Sequence, residues 1–361
     1  MKIILLALEI VILSFSSASW GRCAPSFPIN KGWLGSNLAY SIPLAQNKTL
    51  WLFGDTFIGT NQKTRESAKL IANSIGISGC QGSKPNISYI WGHKNDVAVP
   101  YFQSSDKEIR LWPLDGFSYG GKLYIFLAQI LEKPGGSPKD YEYIGVSLAR
   151  VENPTMVPEA WDMAYLDVLK STRFFPGASA VLSGAHVYLF TPLQDDLNKN
   201  HPVILTRLPL DKLKKPAENL EYYSKEKSWK KGTDLRDAFI IMDSGGLAMS
   251  VRLHPELNKW VAIHTQAGTT SSGVVMRIAG SLEGPWSDAT LIYSMPEKDS
   301  ASRGNDPEMF CNAAMEHPES ETKDHLFVSY VCNYTQFQKT KYDMKVFIPR
   351  TVSLHLRSHG K

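Results

Sequence analysis

The chain has 361 residues, of which 43% are hydrophobic and 20% charged, and a formal net charge of +4. That composition excludes an intrinsically disordered chain. Apart from short runs near Lys212–Lys215 and Lys225–Lys231, the basic residues are scattered, which excludes the clustered basic face of a nucleic-acid binder.

Residues 1–19 read as a signal peptide. Lys2 supplies the positive end, Ile3–Phe15 the apolar stretch and Ser17-Ala18-Ser19 a small-residue cleavage site. A retained anchor is the rival reading, but the stretch is short for a spanning helix and Glu9 interrupts it. The mature part, 20–361, is expected in the extracellular space or periplasm as a monomer with no membrane span. Cys23, Cys80, Cys311 and Cys332 follow the cleavage site. Even parity in an exported chain predicts two disulfides, with three connectivities open. Cys311 and Cys332 flank one predicted hairpin, so they can face each other, which leaves Cys23 for Cys80. No Cys-x-x-Cys spacing supports zinc, and no cofactor or metal is expected.

Five β-rich middle runs follow: Thr49-Leu-Trp-Leu-Phe-Gly, Lys122-Leu-Tyr-Ile-Phe-Leu, His186-Val-Tyr-Leu-Phe-Thr, Lys259-Trp-Val-Ala-Ile-His and His325-Leu-Phe-Val-Ser-Tyr. They start at 49, 122, 186, 259 and 325, close to seventy residues apart. A run of smaller residues precedes each, beginning at Asn37, Asp115, Gly177, Ala248 and Cys311. A third strand-like run follows each, beginning at Asn73, Tyr143, Pro202, Gly273 and Met344. The best helical candidate, Asp211–Tyr223, is interrupted by Pro216. Small first runs and bulky second runs suit a blade that narrows toward an axis. The pattern predicts an all-β fold, a single five-bladed β-propeller with mostly four-stranded antiparallel blades, over a β-sandwich with coincidental spacing.

In such a fold the residues on the first runs face the axis. Asn37, Tyr40, Trp112, Ser250 and Asn312 are therefore candidate ligand-binding residues, with His264 at the end of a middle run. Arg277, on a third run, either binds ligand or pairs with a carboxylate. Asp55 and Asp115 are the candidate catalytic pair. Two acids across a pocket suit glycoside hydrolysis, one protonating the leaving oxygen and the other activating water or attacking. Asp-Thr and Asp-Gly are also turn signatures, so a structural role competes for both. His254 and His317, each in His-Pro-Glu, read as turn residues rather than metal ligands. Ser250 and Ser329 lack nucleophile-elbow glycines.

Gly32-Trp33, Asn37-Leu-Ala-Tyr40-Ser41 and Leu50-Trp-Leu-Phe-Gly54-Asp55-Thr56-Phe57 resemble the opening of bacterial five-bladed propellers that include endo-D-arabinanases. Shorter echoes are Trp112-Pro-Leu-Asp115-Gly116, His254-Pro-Glu and Gly284-Pro-Trp286. The resemblance implies a carbohydrate-active protein and a polysaccharide partner. Relatives usually carry Asp-Gly where this chain has Asn37-Leu38, and an acid where it has Ala248. A glycan-binding propeller that does not cleave is therefore the alternative.

Overall fold

The computed structural model describes residues 25–355, except 31, 82–83, 133–140, 195–199, 269–272, 299–305 and 319–324. The expected signal peptide and Cys23 lie outside the described residues.

Five principal antiparallel sheets follow one another along the described chain. The first is Tyr40–Leu44, Lys48–Phe53, Ser74–Gln81 and Lys84–Ile90. The second is Ile109–Tyr119, Lys122–Glu132, Tyr141–Val151 and Met163–Lys170. The third runs Ser179–Ser183, His186–Pro192, Val203–Pro209, Glu221–Tyr223 and Trp229–Lys231, with Ile240–Met242 also on Val203–Pro209. The fourth is Met249–His254, Lys259–Thr265, Gly273–Ala279 and Thr290–Ser294. The fifth is Met309–Glu316, His325–Tyr334 and Arg350–His355.

Each middle strand is mostly apolar through its central residues because both of its faces are covered. On the second sheet, Leu123, Ile125 and Leu127 pack with Ile42, Leu50 and Leu52 of the first. The alternating residues Tyr124, Phe126 and Ala128 pack with Val187 and Leu189 of the third. Ala262 of the fourth sheet faces the third through Phe190 and Leu205, whereas Val261 and Ile263 face the fifth through Leu326 and Val328. Two-residue periodicity thus distributes each strand between two neighbouring interfaces. A fully buried side chain of this size contributes about 1.5–3 kcal/mol.

The opening strands are also bonded to one another. Asp115 N–H donates to Gly177 O at 3.0 Å, and Ala180 N–H donates to Asp115 Oδ2 at 2.9 Å. Val251 N–H donates to Ser179 Oγ, and Glu316 N–H to Ser250 Oγ. His317 Nδ1 lies 2.8 Å from Ser41 Oγ, which ties the fifth sheet to the first. The first and second sheets are joined by Asn73, whose Nδ2 donates to Leu111 O at 2.7 Å.

Two sequence expectations change. The third strand of the last sheet is Arg350–His355, not the run from Met344. That run turns at Phe347 (φ 58°), and Val346 and Phe347 are buried, with Phe347 against Leu34 and Phe57. Within Asp211–Tyr223 only Pro216–Asn219 is α-helical, because Pro216 serves as a helix start, and Glu221–Tyr223 is a strand. Cys311 and Cys332 are register partners joined in a disulfide, with Cα atoms 4.0 Å apart. Cys80 is also disulfide-bonded. No helix among the described residues is long and apolar enough to cross a membrane.

Candidate functional site

The strand Lys48–Phe53 ends in Gly54-Asp55, next to the chain that leads into Tyr40–Leu44. Asn37 N–H donates to Asp55 O at 3.2 Å, and Asn37 Nδ2 approaches Asp55 Oδ2 at 3.5 Å. The contact requires glycine at 54, where a Cβ would lie 2.4 Å from Asn37 Oδ1. Desolvation raises the Asp55 pKa to about 7, against the opposing effects of the Arg110 charge and the Trp112 indole N–H. The Glu132 charge adds to the rise. Trp112 does not reach hydrogen-bonding geometry: Asp55 Oδ1 and Trp112 Nε1 are both buried without a hydrogen-bond partner.

Trp112 is held edge-on by Tyr141 and Tyr143, with ring centroids 5.2 and 6.0 Å away, and Tyr143 packs on Phe175. Beside it, Arg110 Nε donates to Glu132 Oε2 at 2.7 Å, and the Arg110 Nη2–Glu132 Oε1 contact completes a two-pronged pair. Sequence reasoning passed over Arg110 and Glu132. Their signal was weak: opposite charges at the base of one predicted hairpin.

Asp115 sits in a different set of bonds. One oxygen accepts from its neighbour Gly116 N–H at 2.8 Å. The other accepts from Ala180 N–H, with Ser179 Oγ and Arg252 Nη1 each at 3.4 Å. Tyr40 shares this region: its hydroxyl donates to Ala178 O at 2.9 Å, and burial followed by the Asp115 charge raises its pKa. These residues join the first, second, third and fourth sheets. The bonded partners of Asp55 and Asp115 do not overlap, so the structure does not gather the expected acid pair into one hydrogen-bonded group.

The remaining expected site residues separate. Ser250 is buried and accepts from Glu316 N–H at 2.8 Å. Arg277 is buried and pairs with Asp243 Oδ1 at 2.6 Å, while Nη1 donates to Ser287 O. His264 is fully buried; its Nδ1 contacts Thr265 O at 2.8 Å and its Nε2 has no hydrogen-bond partner. Desolvation lowers its pKa to about 4, so it is neutral. Asn312 is exposed, and Ala248 packs partly buried against the apolar cluster of Tyr40 and Met315. His254 and His317 are not turn residues alone. Both are buried, His254 on Glu316 and His317 between Ser41 and Ser329.

The sequence profile of a family described as "Domain of unknown function (DUF5005)" matches residues 27–350. The chain belongs to this family. No curated protein matches the DUF5005 chain. Among solved structures it is similar to a suspected hydrolase from Bacteroides ovatus ATCC 8483, with TM-score 0.70 and 16% identity over 90% of this chain and 86% of that one. It is also similar to an exo-β-1,3-galactanase from Phanerochaete chrysosporium crystallised with β-1,3-galactotriose, with TM-score 0.50 and 15% identity. That match covers 90% of this chain and 61% of the galactanase. A thermostable family-43 glycoside hydrolase aligns at TM-score 0.48 and 11% identity, over 93% and 94% of the two chains. At 15–16% identity, the likeness to the first two is one of fold.

Proposed function

We propose that this DUF5005 chain is a five-bladed propeller that hydrolyses a glycosidic bond in a furanose- or pyranose-containing polysaccharide, with Asp55 as the proton donor. The ring of bonds from the first sheet through the fifth and back supports the propeller. The observation that carries the chemistry is the Asp55 carboxyl, raised to about 7 by burial with Oδ1 unpartnered. An acid of that strength is half protonated near neutral pH, where general acid catalysis is most effective. The second carboxylate acting on Asp55 is Glu132, in place of Asp115, whose oxygens hold sheets together.

Purified protein incubated with a panel of neutral polysaccharides is expected to release reducing sugar, and Asp55→Asn to reduce that release about 100-fold or more. Undiminished release by Asp55→Asn would overturn the assignment. A second reading, glycan binding without turnover, is favoured by Asn37, an amide where a base would be needed beside Asp55. It predicts binding on a glycan array with no sugar release, and binding that survives Asp55→Asn.

A further inference from the structure

Asp55 Oδ1 and Trp112 Nε1 are two orphaned polar atoms of complementary kind in one place. The indole N–H only donates, and the carboxyl oxygen accepts when ionised and donates when protonated. Each is buried without a hydrogen bond of good geometry, and the Arg110 charge and the nearby indole N–H offset only part of the cost, since the Asp55 pKa stays raised. Asn37 Nδ2 approaches the other Asp55 oxygen, and the Arg110 fork is taken by Glu132. Trp112 is wedged by Tyr141 and Tyr143, so the direction of its N–H is fixed.

We propose that a single oxygen atom of a bound neutral sugar bridges Asp55 Oδ1 and Trp112 Nε1. The inference rests on the reading of this site as carbohydrate-binding and adds Trp112 as a second group on the reacting atom. With Asp55 protonated, the acid O–H and the indole N–H both donate to an ether oxygen. With Asp55 ionised, a hydroxyl donates to the carboxylate and accepts from the indole. An ammonium group has no lone pair for Trp112 and fits neither state. A hydroxyl fits both states of Asp55, and an acceptor-only oxygen such as the glycosidic ether fits the protonated state.

The two bonded states are those before and after cleavage. As the bond from the anomeric carbon to the bridging oxygen breaks, its electron pair stays on oxygen, which takes the Asp55 proton and becomes the product hydroxyl. A water molecule supplies the new oxygen on the anomeric carbon and releases its surplus proton to solvent, from which Asp55 is reprotonated. Throughout, Trp112 N–H stabilises charge developing on the leaving oxygen.

The test uses the full-length protein with ¹⁵N-labelled tryptophan. In the free protein, the Trp112 indole resonance is expected to titrate with a midpoint near 7, and Asp55→Asn to abolish the titration. Neutral arabino-, xylo- and galacto-oligosaccharides are the probes, and one of them is expected to shift the same resonance. Trp112→Phe, which keeps an aromatic ring for Tyr141 and Tyr143, is expected to lower kcat/KM about tenfold for any sugar released. An indole resonance that neither titrates with Asp55 nor moves with any probe overturns the bridge. Full kcat/KM in a folded Trp112→Phe variant also overturns it, while hydrolysis by Asp55 stands. A resonance shift with no sugar release does the reverse, keeping the bridge and removing hydrolysis.

Discussion

His254 Nε2 lies 2.6 Å from Glu316 Oε1, and both side chains are buried where the fourth sheet meets the fifth. Burial alone would lower the His254 pKa, but the bond and charge of Glu316, then those of Glu256, outweigh it and raise the pKa above 6.5. A histidine whose folded pKa is raised contributes stability that is fully present below its unfolded value. That stability is lost as pH rises through the folded value. Wild-type protein should therefore weaken as pH rises above about 6.5. Glu316→Gln should cost about 3 kcal/mol at pH 6 and flatten this dependence. Urea denaturation at pH 6 and pH 9 checks it, and an unchanged pH slope in the variant would count against the pair.

Asp55 has the opposite protonation chemistry in a lower window. Its folded pKa, about 7, stands above the ordinary value of 3.8, so the folded state holds the proton more tightly. Its contribution to stability falls as pH rises between those two values. Asp55→Asn should remove this slope and leave the His254 window above it intact. Thermal denaturation from pH 4 to pH 9 separates the two. For activity, the acid form is the working one, so the rate should fall as pH rises above about 7.

Asp115→Asn should act on stability. It weakens the acceptor for Ala180 N–H and removes the charge facing Arg252. The expected cost is about 2 kcal/mol in chemical denaturation, with sugar release per folded molecule changed little beside the loss in Asp55→Asn. Equal losses of release in the two folded variants would restore Asp115 to the site.

Gly54→Ala places a methyl group 2.4 Å from Asn37 Oδ1 and forces Asn37 away from Asp55. Overpacking of this kind costs about 1–3 kcal/mol. The more diagnostic outcome is a displaced alkaline limb of the pH–rate profile, because the groups around the acid have moved.

The all-β architecture was legible because a strand covered on both faces is mostly apolar, and five such runs recur at nearly constant spacing. The 344–349 segment misled because its buried Val346 and Phe347 look like strand residues, whereas Phe347 has a positive φ that breaks a strand. The Asp55–Asn37 contact was half legible: both residues stood out, but nothing in the sequence places them together. Asp115 stood out equally, although its oxygens are spent on Ala180 and Gly116. A carboxylate that ties backbone segments and one that meets a ligand are the same letter. Arg110 and Glu132 were missed because a cross-strand ion pair leaves no periodic trace.

Arg65 has a fully buried side chain whose guanidinium donates to Leu34 O and, far along the sequence, to Thr340, Asp343 and Val346 O. These last three bonds span 275 to 281 residues. During synthesis, the ribosome must pass residue 346 before this cation finds all of its carbonyls. Until then the segment around Leu34 and Arg65 waits with its polar groups open to water. A segment made early is thus completed by one made 281 residues later, and a nascent chain stopped short of residue 346 would show its defect around Leu34 and Arg65.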